Sequence, residues 1–195
     1  MRCLYCDKDI NRESLYSVFI EKDKLCPVCR SLIKNNHLIF IRDDIKIESF
    51  YVYDSLFKDL LLQYKECYDE ALKEVFLYGI KEKIKLKYHD YKIVYVPSSK
   101  EKLNQRGFNH LKLIFENLNL KEIKGIKMIE ETSQLNKDKK ERESMLHNYQ
   151  YEGNALDKVL VVDDVYTTGS SIMGVCNALR PHCKKIRALT LAKVS

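Results

Sequence analysis

Residues 159–171 read VLVVDDVYTTGSS. Two adjacent carboxylates, Asp163 and Asp164, close an apolar run, and Thr167, Thr168, Gly169, Ser170 and Ser171 follow at once. Val159 to Val162 has the continuous apolar character of a strand buried on both faces. A turn that feeds the start of a helix presents unpaired backbone N–H groups and a favourable dipole to an anion. The four hydroxyls add donors, and Gly169 lets the backbone approach closely or take positive φ. The loop therefore suits one phosphate. It lacks the lysine and the length of a nucleotide-triphosphate P-loop. Two carboxylates facing that phosphate would repel it, so they are better suited to accepting hydrogen bonds from neighbouring hydroxyls. A phosphate beside a vicinal diol describes a ribose 5-phosphate.

A second constellation lies near the N-terminus. Cys3 and Cys6 form one C-x2-C pair, and Cys26 and Cys29 form another. Each pair turns two thiolates toward one point, and two pairs complete a tetrahedron. Four thiolates leave no open position, so the expected ion is a structural zinc. Four unmetallated thiols are the plainer alternative. Cys67, Cys176 and Cys183 read as small packed hydrophobes.

Periodicity supplies the elements that position these groups. HLIFI and IKIESFYVYD have strand composition, as does LYSVFI between the cysteine pairs. Residues 56–87 repeat apolar side chains at spacings of three and four, which predicts a helix with Asp54 or Ser55 as cap and Gly79 as a breaker. KIVYVP predicts a buried strand, FNHLKLIFENLNL a helix, GIKMIEE a strand, SSIMGVCNALRPH a helix and KKIRALTLAKV a closing strand. Strands alternating with helices from about residue 56 predict an α/β domain with a doubly wound, mainly parallel sheet. Ligands of such sheets bind outside the carboxyl ends of the strands. Those ends are residues 97–100 and 163–171. The expected organisation is a four-cysteine zinc ribbon over 1–36 and the α/β domain over 37–195.

The 195 residues suit one substantial domain with a small appendage, and 45% hydrophobic content provides a core. With 34 basic and 28 acidic side chains the net charge is +6. That permits an anionic partner without requiring one. No signal-peptide pattern opens the sequence and no apolar run reaches membrane-spanning length, so a cytoplasmic protein with no membrane insertion is expected. The five histidines share no spacing that predicts catalysis.

VLVVDDVYTTGSS resembles the phosphoribosyl pyrophosphate (PRPP) motif of type I phosphoribosyltransferases. Joined to an N-terminal four-cysteine ribbon, it resembles the ComF/GntX family, associated with DNA uptake in natural transformation. LLLQYKECYDEALKEVF resembles that family's K-Y-K helix region. VYVPSSKEKLNQRGFNH resembles its Val-Pro, basic loop and R-G-F-N signature, and SQLNKDKKER its Q-x2-L-x4-R stretch through Gln134 and Arg142. The pattern departs at Lys137, Met145 and Tyr149, and at Ser98-Ser99.

The resemblance implies a type I phosphoribosyltransferase-like fold that binds PRPP with Mg²⁺. It implies Asp163 and Asp164 on the ribose hydroxyls and residues 167–171 on the 5-phosphate. Pyrophosphate would meet Ser98, Ser99 and Lys100, with Arg106 supplied by a mobile segment; catalysis would then fall to Asp163, Asp164, Lys100 and Arg106. Two functions follow. One is a phosphoribosyltransferase with an unspecified acceptor. The other is a non-catalytic module that senses PRPP or a nucleotide and binds single-stranded DNA or a competence partner such as a DNA helicase. A nucleotide-salvage role without a competence link is a third.

Overall fold

The computed structural model describes residues 1–10, 23–129 and 149–194. LYSVFI, Gln134, Lys137, Arg142 and Met145 lie outside them. Strands β1 (Asn35–Arg42) and β2 (Ile45–Val52) form an antiparallel hairpin. Asp43 and Asp44 turn it with φ of 46° and 64°, the left-handed pair that a two-residue hairpin turn requires and Asp tolerates. β3 (Lys92–Tyr95) is followed by a separate two-stranded antiparallel ribbon, β4 (Ile126–Met128) and β5 (Tyr149–Tyr151). β6 (Leu156–Tyr166) and β7 (Cys183–Lys193) complete a five-stranded sheet in the order β1-β2-β7-β6-β3. All its pairings are parallel except β1 with β2. The expected mainly parallel α/β sheet is present, and the strand expected to close the chain lies at its centre.

β6 is the axis of the sheet's buried region. Val159, Leu160, Val161 and Val162 are all fully buried. Since successive strand residues face opposite sides, both faces of β6 are covered. Burial of each such side chain contributes roughly 1.5–3 kcal/mol.

The helical pattern over 56–87 folds as three helices, not one. They are α2 (Ser55–Glu66), α3 (Lys73–Leu77) and α4 (Lys81–Lys87). Asp54 caps α2 by accepting from the Phe57 N–H, as the sequence suggests. The first break comes at Tyr68, with φ of 57°, whose hydroxyl donates to the Gln105 carbonyl. The second comes at Gly79, with φ of 75°. Apolar spacing reports which residues are buried; it is blind to a left-handed residue stabilised by a distant contact. A second difference concerns the basic loop after Pro97. Lys100–Arg106 is helix α5, with Ser99 accepting from the Lys102 N–H at its start. Arg106 thus ends a short helix.

Helix α6 (His110–Phe115) starts at Asn109, which accepts from the Lys112 N–H. An aromatic cluster fixes α6 against α2. The Tyr64 ring lies 5.5 Å from Phe76 and 5.7 Å from Phe108, and the Tyr64 hydroxyl donates to the His110 carbonyl. Helix α7 (Ser170–Leu179) connects β6 to β7. Its buried face carries Ile172, Met173, Val175, Cys176 and Leu179. Cys176 is thus the packed hydrophobe expected, whereas Cys67 is exposed. Beyond the cysteine pairs, α1 (Pro27–Leu32) begins with Cys26 as cap. Arg30 ties it to Asp23 and to the Val75 carbonyl of α3. Among the described residues no helix is long and apolar enough to cross a membrane.

His37 has a structural role. It meets Glu48 at 2.6 Å and stacks on Phe50. Glu48 is 2% exposed and also accepts from Lys87 and the Tyr88 hydroxyl. Burial raises its carboxyl, but these partners outweigh burial and hold it below the usual range. The cluster fastens α4 to the β1–β2 hairpin.

Candidate functional site

A cavity of about 380 Å³ opens at the carboxyl ends of β3 and β6. Ser98, Ser99, Arg106, Asp163, Asp164, Thr167 and Ser171 all line it. A smaller hollow of about 30 Å³ adjoins it, bounded by Asp163 and residues 165–172. Thr168, Gly169 and Ser170 line this hollow and not the larger cavity; its size suits one small ion or water. Lys100 opens α5; its side chain is outside those described. The structure therefore brings the acidic pair, the hydroxyl loop, Ser98, Ser99 and Arg106 together at one strand end.

The hydroxyl loop is preorganised. Gly169 stands before α7 with φ of 74°. Thr168 and Ser170 share a hydroxyl hydrogen bond of 2.9 Å. A Cβ at Gly169 would come within 2.5 Å of the Tyr166 ring. That ring cannot easily yield, because Arg42 donates to its hydroxyl at 3.0 Å and Phe40 packs edge-on against it. Arg42 also donates to the Thr168 carbonyl, so the edge strand braces the loop. Gly169→Ala is expected to cost roughly 1–3 kcal/mol, from left-handed strain and the clash with Tyr166. Thermal melts measure it, and an unchanged melting temperature would mean that the loop is not held as described.

The two carboxylates differ in environment. They follow one another in β6, so their side chains leave on opposite faces. Asp164 is 8% exposed. Its Oδ2 contacts the Lys65 ammonium and accepts from His110 Nε2 at 3.2 Å, and its Oδ1 accepts from the Val165 N–H at 2.7 Å. Asp163 Oδ1 accepts from the Asp164 N–H. In register beside Asp163 is Thr190, whose buried hydroxyl has no hydrogen-bond partner among the described residues. Burial pushes the Asp163 carboxyl up to about 7, with Lys65 opposing. Burial pulls the Lys65 ammonium down to about 8, opposed by Asp163 and aided by Arg106 and Lys102. His110 is 5% exposed; burial, then Lys65, Arg106 and Lys102, push it down to about 2. It is a neutral imidazole, and because its carboxylate partner only accepts, its proton is assigned to Nε2.

Sequence reasoning missed Lys65, Lys102 and His110 on the cavity wall, and Arg42 behind the loop. Lys65 sits inside QYKEC, and His110 directly follows the R-G-F-N run. Both were within segments already singled out, but a helical lysine and a lone histidine carry no spacing signal. Tyr149, a departure from the family pattern, also lines the cavity. Burial raises its phenol, with a hydrogen bond to Ser171 opposing.

Cys3, Cys6, Cys26 and Cys29 form a second candidate site. Their sulfurs all lie within 4.8 Å of one another, and Cys6 Sγ is 3.7 Å from Cys26 Sγ. A tetrahedron with zinc–sulfur bonds of about 2.3 Å has sulfurs about 3.8 Å apart, so the donor set fits a metal such as zinc. Backbone N–H groups already point at sulfur, from Cys26 to Cys3 and from Cys29 to Cys26. Burial raises the Cys3 thiol, yet backbone hydrogen bonds from Cys6, Cys26 and Tyr5 bring it down to about 6. Burial and the neighbouring thiols raise that of Cys29. Such a set favours at least one thiolate before a cation arrives.

Comparison with known proteins gives two relatives of one description. The chain is 28% identical over 148 residues to the competence protein ComFC of Streptococcus pneumoniae, covering 74% of this chain and 67% of that protein. It is 25% identical over 203 aligned positions to the competence protein ComFC of Bacillus subtilis, covering 87% of this chain and 85% of that protein. No family model matches the chain.

Proposed function

We propose, on the premise that this chain belongs to the ComF family, that it is a PRPP-binding protein with a type I phosphoribosyltransferase-like fold. The two ComFC relatives support a competence-related role. The observation that carries the ligand is the meeting of two unlike surfaces in one cavity. Asp163, Thr167 and Ser171 line it together with Lys65, Lys102 and Arg106, and the rest of the braced loop lines the hollow that adjoins it. A ligand that carries a phosphate, hydroxyls and a diphosphate matches that set of groups.

In this reading the hydroxyls and N–H groups of residues 167–171 hold the 5-phosphate. Asp163 accepts from a ribose hydroxyl, and Asp164 stands beside it. Ser98, Ser99, Lys100 and Arg106 receive the diphosphate, with Lys102 adding charge. Magnesium would arrive with the ligand and neutralise the diphosphate as it departs. The reaction class is substitution at the anomeric carbon through an oxocarbenium-like state. The bond to diphosphate breaks with its electron pair, and a bond to the acceptor's nucleophilic atom forms. Zinc in the four-cysteine site, single-stranded DNA and a competence partner such as a DNA helicase belong to the same proposal. The zinc rests on sulfur geometry, the other two on the family alone.

The test is the melting temperature of the protein with PRPP and Mg²⁺. A ligand at 100 times its Kd stabilises by about 2.7 kcal/mol, and a clear rise is expected. Product formation with candidate acceptors then separates a transferase from a sensor. No rise at millimolar PRPP would reject the reading.

A further inference from the structure

Two cations on the cavity wall are already engaged by the protein's own carboxylates. Lys65 contacts Asp164, and Arg106 donates to Glu66 at 2.8 Å. Lys65 and Glu66 are consecutive, at the end of α2. That helix end therefore presents one cation to the strand acid and one acid to the helix α5 cation. The two pairs are unequal. Glu66 is 55% exposed, so losing Arg106 leaves it solvated. Asp164 is buried, and a departing Lys65 would normally strand its charge.

Here the departure is covered. Asp164 Oδ2 also accepts from His110 Nε2, and Oδ1 accepts from the Val165 N–H. His110 is fixed from behind, because its carbonyl accepts from Tyr64, which is packed among Phe76 and Phe108. Two hydrogen bonds therefore keep Asp164 in place whether Lys65 is present or not. Lysine suits such a transfer, since its ammonium is a point charge on a flexible four-carbon stem. The group lies on the same cavity wall as Lys102 and Arg106, where a multiply charged anion would gather all three.

We propose that Lys65 is a diphosphate-contacting residue, which moves its ammonium from Asp164 to a ligand oxygen while His110 holds Asp164. The inference rests on the reading above in taking the ligand to carry a diphosphate. Lys65 then acts on the ligand directly, and His110 is a positioning residue. The strand acid serves as a stand-in anion for the ammonium in the free protein until the ligand replaces it.

Calorimetric titrations with inorganic pyrophosphate, PRPP and ribose 5-phosphate test this on wild type, Lys65→Gln and Lys65→Arg. Lys65→Gln should weaken pyrophosphate and PRPP tenfold or more and leave ribose 5-phosphate within about threefold. Lys65→Arg should recover most of the loss, and it also serves if the glutamine variant folds poorly. Equal weakening of all three ligands would overturn the proposal, because Lys65 would then only order Asp164. Unchanged pyrophosphate and PRPP binding in Lys65→Gln would overturn it too, with the PRPP reading intact. Wild type that binds pyrophosphate through Lys65 but not PRPP would sustain the Lys65 inference and reject the PRPP reading. Binding of none of the three would reject both.

Discussion

Asp163→Asn is expected to make the unliganded protein more stable at pH 8 and to weaken PRPP binding 100-fold or more. Both effects have one cause. Asp163 lies where burial favours its neutral form, with a proton held up to about pH 7, and the neighbouring Thr190 hydroxyl is without a partner among the described residues. The folded state thus binds that proton more tightly than the unfolded chain, whose ordinary value is 3.8. Stability from this group is fully present below about pH 4 and falls as pH rises to about 7. Above that, the folded protein carries a carboxylate it does not favour. Three units correspond to at most about 4 kcal/mol. Solvent at the cavity wall and Lys65 bring the expected gain of the amide down to about 1–2 kcal/mol. The gain should vanish at pH 4, where wild type is protonated too. A ligand hydroxyl reverses the preference, since it donates to a carboxylate, and PRPP affinity of wild type should drop as pH falls below 7. Melting curves at pH 4 and 8 check the stability part. A variant less stable than wild type at pH 8 would show that Asp163 is a structural acid.

Cys29→Ser is expected to remove the metal and to destabilise the chain by about 4 kcal/mol. Cys3, Cys26 and Cys29 are 2%, 6% and 5% exposed and belong to the same buried cluster as Ile33 and Ile47. The four-cysteine segment is also tied to α2 and α3, because Gln63 donates to the Leu4 carbonyl and Arg30 to that of Val75. Metal analysis should give near one zinc per wild-type chain and none in the variant. PRPP binding measured below the melting temperature should survive, since the 167–171 loop is braced by Arg42 and α7, not by the cysteines. A metal-free wild type with an unchanged fold would reject the zinc site.

What the sequence made legible follows from range. The four cysteines, the VLVVDD strand and the TTGSS turn are local patterns whose chemistry is set by residues a few positions apart. The structure brings those patterns to coherent places. The break at Tyr68 and the capture of Asp164 by Lys65 and His110 are not local. Lys65 is separated from Asp164 by 99 positions and His110 by 54. Nothing in the period of α2 marks Lys65 as half-buried where Lys58 is exposed. Arg42 is further still, on an edge strand whose pattern reads as hairpin alone, yet it bears on the loop 126 residues away. Local chemistry thus suggested what the site is for, and tertiary packing chose which cations serve it.

The most direct measurement is a calorimetric titration of the full chain with PRPP and Mg²⁺, on wild type and on the Asp163→Asn/Asp164→Asn protein. Saturable binding by wild type that the folded double variant lacks is the predicted result. Equal binding by both, or no binding by wild type, would contradict the claim that the end of β6 is a PRPP site.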